Sequence, residues 1–310
     1  MEELVFGKNL FGDIHKPKAT GIVASRFVIP PFTVLDARSG EWQERKRTWI
    51  SIGIKGEEGR TSTGKNTFED LKNRTNQTET IKRILSIGGQ SLFDPVLCEL
   101  AYRWWCPEGG QVLDPFAGGS VRGIVAGALS RRYWGCDLRA EQIEANEKQA
   151  DNINTPLRPL WVCGDSNEQI KEAPFADFIF SCPPYGDLEK YSDHPQDLSA
   201  MDYQSFKIFY REIITKAVSR LKPDSFACFV VGDFRDKKGF YRNFVSETIS
   251  AFESSGAFLY NEAVLITSVG STAMRVTRQF LAGRKLAKTH QNILVFCKGS
   301  WHKAAEKIKG

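Results

Sequence analysis

The sequence predicts an α/β fold in which helices flank both faces of a mostly parallel sheet. From about residue 109, short apolar runs alternate with segments of helical periodicity, which is the pattern of successive βαβ units. One apolar run, 111–114, leads into a Gly-rich turn, and a later one, 176–181, leads into two consecutive prolines. Turns at the ends of parallel strands are where such proteins bind their ligands.

The elements follow in order along the chain. Apolar runs predict seven strands, at 111–114, 133–137, 159–163, 176–181, 226–231, 258–267 and 292–298. Apolar residues at helical spacing predict helices over 121–129, 140–152, 203–221 and 244–252. No helical pattern clearly separates the last two strands, so we expect them to pair as an antiparallel hairpin. A polar, basic loop over 268–291 is expected to join them.

Composition limits the class of protein. The chain has 310 residues, of which 41% are hydrophobic and 25% charged, as in soluble globular proteins. No apolar run is long enough to span a membrane, and the N-terminus lacks the layout of a secretory signal, so we expect a cytoplasmic protein. The seven cysteines are scattered, without zinc-ligand spacing, which favours reduced core thiols and predicts no metal site.

The turn after the first strand reads Asp114-Pro115-Phe116-Ala117-Gly118-Gly119. Gly118 and Gly119 permit a sharp reversal and a close approach of ligand to backbone. The N–H groups at the start of the following helix favour a carboxylate, and Asp114 can accept from an ammonium group. Asp137 lies about twenty residues beyond the glycines, where an acid can accept from both hydroxyls of a ribose. The turn is therefore a predicted cofactor site.

A second motif, Ser181-Cys182-Pro183-Pro184-Tyr185, ends the strand at 176–181. Consecutive prolines fix the backbone and remove two N–H donors, so the neighbouring carbonyls become rigid acceptors. Such acceptors suit an exocyclic amino group, and Tyr185 can stack on the flat face of a base. The motif is a predicted substrate platform.

Together these two motifs resemble the amino-methyltransferases of DNA, which transfer a methyl group from S-adenosylmethionine to N4 of cytosine or N6 of adenine. The resemblance covers residues 85–300. It implies a Rossmann-like, seven-stranded methyltransferase sheet with an antiparallel last strand, S-adenosylmethionine as cofactor, and a flipped DNA base as substrate. Further cofactor contacts that it implies are Phe93, Asp94, Phe116 and, near the adenine, Asp165. Core packing is the alternative for Phe93, and a turn or helix cap is the alternative for Asp165.

The motif departs from the family at its first position, because Cys182 stands where the family has Asp, Asn or Ser. A neutral thiol is a weak acceptor. Cys182 either fills space while Ser181 or a backbone carbonyl holds the amine, or attacks C6 of a pyrimidine as a nucleophile for C5 methylation. An inert core cysteine is the third option. We favour amino methylation; an RNA methyltransferase and an inactive nucleic-acid binding module are further alternatives.

Basic residues are concentrated near the C-terminus. Residues 261–310 contain nine Lys and Arg against two acids, which favours a polyanionic partner. We expect DNA contacts from Arg275, Arg278, Arg284 and Lys285. The predicted organisation is an N-terminal arm or target-reading extension over 1–84, a catalytic domain over 85–300 and a basic tail over 301–310. The alternative for residues 1–84 is that they only pack on the sheet. The sequence does not determine the oligomeric state.

Overall fold

In the computed structural model, the described residues are 27–55, 93–186, 197–269 and 272–308. They form one eight-stranded sheet with the order β1-β7-β8-β6-β5-β2-β3-β4. Among these strands, β8 alone runs antiparallel to its neighbours. The strands are β1 Val34–Asp36, β2 Gln111–Asp114, β3 Arg132–Asp137, β4 Leu160–Cys163, β5 Ala176–Ser181, β6 Leu221–Val231, β7 Phe258–Ile266 and β8 His290–Lys298.

The predicted Rossmann-like sheet with an antiparallel last strand is confirmed. The last two strands pair antiparallel as predicted, with Ile266 opposite His290, but a helix over 272–283 separates them, so they are not a simple hairpin. The predicted number of seven strands was wrong. The eighth strand, β1, pairs in parallel with β7 through Val34 and Val264. A strand of three residues is too short to give a readable alternation of apolar and polar positions.

Helices cover both faces of the sheet, as predicted. Alternate strand residues point to opposite faces, so Phe178 and Phe180 enter one core while Ile179 enters the other. Burial on both faces explains why the central strands are continuously apolar. The helices are α1 Gly40–Ser51, α2 Pro95–Trp105, α3 Val121–Ala128, α4 Ala140–Ile153, α5 Ser166–Gln169, α6 Tyr203–Arg220, α7 Phe244–Ser254, α8 Thr272–Gly283 and α9 Trp301–Glu306.

Helix α8 corrects the prediction of a loop over 268–291. Residues 272–283 contain no proline and only one glycine, at the last position, so nothing in their backbone chemistry opposes a helix. Their polar composition suggested a loop because the helix is amphipathic rather than apolar.

The N-terminal region is not a separate arm where it is described. Helix α1 packs beside α2 with Trp42 and Trp49 fully buried. Trp49 Nε1 donates to the buried Glu99 carboxylate over 2.8 Å, and Arg45 Nε donates to it over 2.6 Å. Burial alone would raise the pKa of Glu99, but the charges and hydrogen bonds of Arg45, Arg103 and Trp49 together lower that pKa. Residues 34–54 therefore pack on the same sheet and helices as the residues that follow, since β1 also pairs with β7.

The predicted basic tail over 301–310 is instead largely helix α9. Ala304 is buried against the sheet, and the Trp301 ring stacks on Tyr260 with centroids 5.8 Å apart. Lys307 Nζ donates to the carbonyls of Pro223 and Asp224 over 2.9 and 2.7 Å. Among the described residues, no helix has both the length and the apolar character needed to cross a membrane.

Candidate active site

The candidate site lies at the edge of the sheet where the parallel strands have their carboxyl ends. Strand β2 lies between β3 and β5, so the chain leaves β2 on one side and later returns to its other side. In open α/β sheets a ligand crevice forms at this point of reversal. Both predicted motifs begin here, because residues 115–120 follow β2 and residues 182–186 follow β5.

The cofactor turn has an open surface at its two glycines. Gly118 has φ of +51°, which favours glycine. A Cβ added at Gly118 or Gly119 would meet no other atom within 4 Å, so a ligand can approach the backbone there. From the other side, Asn146 donates to the Gly118 carbonyl over 2.8 Å and the Gly118 N–H donates to Asp137 over 3.0 Å.

Asp114 does not face this open surface. Its carboxylate is fully buried and pairs with the Arg122 guanidinium over 2.6 Å. The Tyr133 hydroxyl donates to it over 2.7 Å and the Ser181 hydroxyl over 2.5 Å. These hydrogen bonds therefore do not favour the expected direct contact between the Asp114 carboxylate and a ligand ammonium group. Asp114 is instead placed as a positioning residue, which joins the end of β2 to the end of β5 through Ser181 and to the start of β3 through Tyr133.

Arg122, at the start of α3, fixes the turn from beneath. Its guanidinium donates to the carbonyls of Phe116 and Ala117 over 2.6 and 2.8 Å. Burial opposes the charged form, but neighbouring groups, of which the Asp114 carboxylate has the largest effect, together raise the pKa of Arg122. The permanent charge holds both carbonyls inward, and sequence reasoning did not identify this residue. Its signal was an arginine inside an otherwise apolar helix.

The two acids predicted for the adenosine moiety lie on neighbouring strands. Asp137 ends β3, where its carboxylate also accepts from the Arg139 N–H over 2.9 Å, and burial raises the pKa of Asp137. Asp165 follows β4 and caps α5 by accepting from the Asn167 N–H over 2.9 Å. One carboxylate oxygen of Asp165 therefore caps a helix, as the alternative for this residue predicted. The Gly164 N–H donates to the Asp137 carbonyl over 3.0 Å, which keeps the two strand ends together.

Phe93 and Asp94 form the start of α2. Asp94 caps this helix through the Val96 N–H over 2.9 Å and receives Trp42 Nε1 over 3.2 Å. Phe93 lies under the Arg122 guanidinium, 4.6 Å from its ring centroid. Both residues thus contact structural partners near the turn.

Phe116 packs in the core on the other face of the sheet from Phe93. Its ring contacts Tyr210, with centroids 5.9 Å apart, and Phe229, with centroids 6.3 Å apart. We assign Phe116 to packing, while its backbone remains part of the cofactor turn.

At the substrate platform, the Ser181 side chain is committed to Asp114 and fully buried. The structure therefore contradicts the option in which the Ser181 hydroxyl holds a substrate amine. Cys182 is half-buried against the core, Pro183 is buried, and Pro184 and Tyr185 are partly exposed. The exposed surface of the motif thus consists of Cys182, Pro184 and Tyr185.

Residues after β6 and around the start of β8 complete the platform. Lys288 belongs to the basic group for which the sequence predicts a polyanionic partner, but the sequence did not indicate that Lys288 and Gln291 lie beside Tyr185. Gln291 Nε2 donates to the Tyr185 hydroxyl over 3.3 Å. The Lys288 ammonium lies 3.4 Å from the position that a Cβ would take at Gly232, and the Tyr185 hydroxyl lies 3.9 Å from it. Burial lowers the pKa of Lys288, against the opposing effect of Asp233. The only signal for this cluster was the polar run directly before the last strand.

The predicted nucleic-acid residues lie on and after α8, which connects β7 to β8 at the same edge of the sheet. Arg278, Arg284 and Lys285 are exposed, and Arg284 lies over the Phe280 ring at 5.2 Å. Arg275 is in the same helix, but its side chain lies outside the described part of the structure. The structure thus brings this group to the edge that contains both motifs.

The site fits the adenosine and methionine parts of S-adenosylmethionine. The open backbone at Gly118 and Gly119 gives room for the methionine end. The carboxylates of Asp137, at the end of β3, and of Asp165, which follows the adjacent β4, would hold the adenosine part. When bound, this cofactor would supply an electrophilic methyl group.

Comparisons with known proteins give low similarity. No family model matches the sequence, and no characterised protein matches it. Among solved structures, TrmN from Thermus thermophilus is similar with 15% identity and a TM-score of 0.45, over 70% of this chain and 52% of that one, about half its length. Magnesium protoporphyrin IX methyltransferase (ChlM) from Synechocystis PCC 6803 has 10% identity and a TM-score of 0.44, and the match covers 77% of this chain and 92% of that chain. A putative RNA methyltransferase, PH1948 from Pyrococcus horikoshii, has 16% identity and a TM-score of 0.43, and the match covers 66% of this chain and 83% of that chain. With values this low, the function has to be inferred from the site itself.

We expect Gly119→Val to abolish binding of S-adenosylmethionine without destabilising the protein. Gly119 does not have a positive φ, and its surroundings are open, so the valine fits the protein but occupies ligand space. Titration calorimetry with the cofactor and thermal unfolding measure the two effects. Gly40→Val is the matched control, because Gly40 is equally open and lies at the start of α1. Unchanged cofactor affinity in Gly119→Val would contradict the assignment of the turn.

Proposed function

We propose that this protein is an S-adenosylmethionine-dependent DNA methyltransferase that acts on the exocyclic amino group of a flipped cytosine or adenine. The observation that carries the proposal is the hydrogen bond of 2.5 Å between Ser181 and Asp114. It joins the cofactor turn directly to the Pro-Pro-Tyr platform. A methyl donor on the turn and an amine on the platform would therefore meet at one crevice.

In this proposal the backbone at Gly118 and Gly119 receives the methionine end, and Asp137 accepts from the ribose hydroxyls. The carbonyls of the Cys182–Pro184 segment accept from the amino group, which orients its lone pair towards the methyl donor. The Tyr185 ring supports the base, and Gln291 fixes the Tyr185 hydroxyl. A base reaches such a crevice only when it leaves the stack of the duplex.

The test is mass analysis of nucleosides from DNA and from RNA after incubation with the protein and methyl-labelled S-adenosylmethionine. Label in N4-methylcytosine or N6-methyladenine is the expected result. Label in 5-methylcytosine would replace the proposed chemistry by C5 methylation, and label only in RNA would replace the substrate. A protein that binds the cofactor and transfers no label to either polymer would contradict the proposal.

A second prediction concerns the basic residues of α8. Glutamate at positions 275, 278 and 284 is expected to weaken DNA binding and to reduce its salt dependence, by roughly 0.9 unit of slope per lost phosphate contact. Cofactor affinity should not change. Lys303→Glu is the control, because Lys303 is exposed on α9, which follows the antiparallel β8 and so lies at the opposite edge. A slope equal to that of the control would mean that α8 does not contact DNA.

A further inference from the structure

The chain directly after β6 forms a tight, self-supported hairpin at the edge of the candidate site, which we call the β6 hairpin (residues 233–242). Arg235 and Tyr241 pair as an antiparallel bridge. The Asp236 N–H donates to the Phe240 carbonyl over 2.8 Å, and the Asp236 carboxylate accepts from the Phe240 N–H over 2.9 Å. Gly239 turns the chain with φ of +94°. The conformation of the tip is therefore fixed by its own hydrogen bonds.

This hairpin displays aromatic rings to solvent. The exposed fraction is 71% for Phe240 and 49% for Tyr241. The Arg235 guanidinium lies over the Tyr241 ring, 4.0 Å from its centroid, and donates to the Gly239 carbonyl over 2.8 Å. The largely exposed Phe240 ring contributes little to the core, and Tyr241 beside it is half exposed, so their place at a rigid tip suits contact with another molecule.

A continuous row of contacts connects the hairpin to the substrate platform. The Phe234 ring contacts both Tyr185 and Tyr203, with centroids 6.0 Å apart in each pair. The Arg242 guanidinium lies over the Tyr203 ring at 4.2 Å. A Cβ at Gly239 would lie 2.9 Å from the Lys285 ammonium, so the hairpin also contacts the chain that follows α8. The β6 hairpin, the substrate platform and the segment after α8 thus form one surface.

The charge of this surface is mainly positive. The β6 hairpin contains four basic residues, Arg235, Lys237, Lys238 and Arg242, against two acids. Lys285 and Lys288 add to it from the segment between α8 and β8. Cations that lie beside exposed rings suit a polynucleotide strand, which offers both phosphates and bases that stack on aromatic faces.

We propose that the β6 hairpin binds the DNA strand beside the flipped base, with Phe240 and Tyr241 stacking on a neighbouring base and with Lys237, Lys238 and Lys285 contacting phosphates. This inference rests on the proposed function, since it assumes a nucleic-acid substrate whose target base lies at Tyr185. It adds a surface that the sequence did not indicate. The hairpin would hold the strand open while the target base occupies the platform.

The test compares the double variant Phe240→Ala/Tyr241→Ala with Phe175→Ala. Phe175 is 58% exposed and lies under the Arg220 guanidinium at 5.3 Å, so it reproduces an exposed cation–aromatic pair. It precedes β5 and therefore lies at the opposite edge of the sheet. Affinity is measured by fluorescence anisotropy with a labelled DNA duplex, a DNA single strand and an RNA strand of the same sequence. Titration calorimetry with S-adenosylmethionine and thermal unfolding check that the crevice and the fold are intact.

We expect the hairpin variant to bind DNA about tenfold more weakly than the wild type, with unchanged cofactor affinity and thermal stability. Phe175→Ala should bind as the wild type does. Lys237→Gln/Lys238→Gln should reduce the salt slope by roughly 0.9 unit per lost phosphate contact. A loss seen with RNA and not with DNA would overturn the choice of DNA as the occupant.

Failure of this inference is distinguishable from failure of the proposed function. If the wild type binds and methylates DNA while the hairpin variants match Phe175→Ala in affinity and salt slope, only the role of the hairpin is overturned. If the wild type neither binds nor methylates any of the polymers, the proposed function is overturned and the hairpin inference with it.

Discussion

Asp114→Ala is expected to lower the free energy of unfolding by about 3–5 kcal/mol, because it leaves the buried Arg122 guanidinium without its carboxylate. The Tyr133 and Ser181 hydroxyls also lose their acceptor, at a further cost of about 1–3 kcal/mol for each group left unsatisfied. Binding of S-adenosylmethionine should be lost, since the turn would no longer be fixed from beneath. Urea unfolding and titration calorimetry measure the two effects.

Two matched variants distinguish the effect of an unpaired buried charge on stability from the effect of losing any carboxylate. Glu144→Ala removes a carboxylate whose partner, Lys148, is exposed on α4, and should leave the free energy of unfolding nearly unchanged, because solvent screens such a pair. Asp114→Leu combined with Arg122→Met removes both buried charges and should recover part of the stability. It should not recover cofactor binding, because no cation then holds the carbonyls of Phe116 and Ala117. Wild-type cofactor affinity in Asp114→Ala would refute the positioning role of this network.

The second large effect is expected at Cys182, where the two proposed chemistries predict opposite results. If the thiol only shapes the amine pocket, Cys182→Ala should remain active, and Cys182→Asp or Cys182→Asn should retain or improve activity, because a better acceptor is present. If the thiol is a nucleophile, Cys182→Ala should have no activity and a 5-fluorocytosine duplex should form a covalent adduct. We expect N-methylation and no adduct.

The adduct is detected by intact mass analysis of the protein after incubation with the duplex and S-adenosylmethionine. Cys163→Ala is the control for non-specific thiol chemistry, since Cys163 is an exposed cysteine at the end of β4. An adduct that persists in Cys163→Ala and disappears in Cys182→Ala would establish C5 chemistry. The fold and the cofactor turn would be unaffected by that outcome.

Several features of this protein follow from the sequence because they depend on local patterns. The central strands are read as apolar runs, and the long helix α6 is read from its periodicity, since both leave a signal within a few consecutive residues. The positive φ of Gly118 and the rigid backbone at Pro183 and Pro184 are likewise properties of the residues themselves. The location of both motifs at one edge of the sheet follows from the parallel order of strands.

Other features depend on contacts between residues far apart in the chain, and only the tertiary structure determines them. Asp114 looked like a ligand-binding acid, but Arg122, Tyr133 and Ser181 arrive from three other elements and make it a buried anchor. The pairing of β1 with β7 likewise joins residues some 230 positions apart. The same holds for the β6 hairpin, whose approach to Tyr185 depends on the packing of Phe234. A sequence pattern records which groups a residue carries, whereas the role of a buried polar group is set by the partners that folding brings to it.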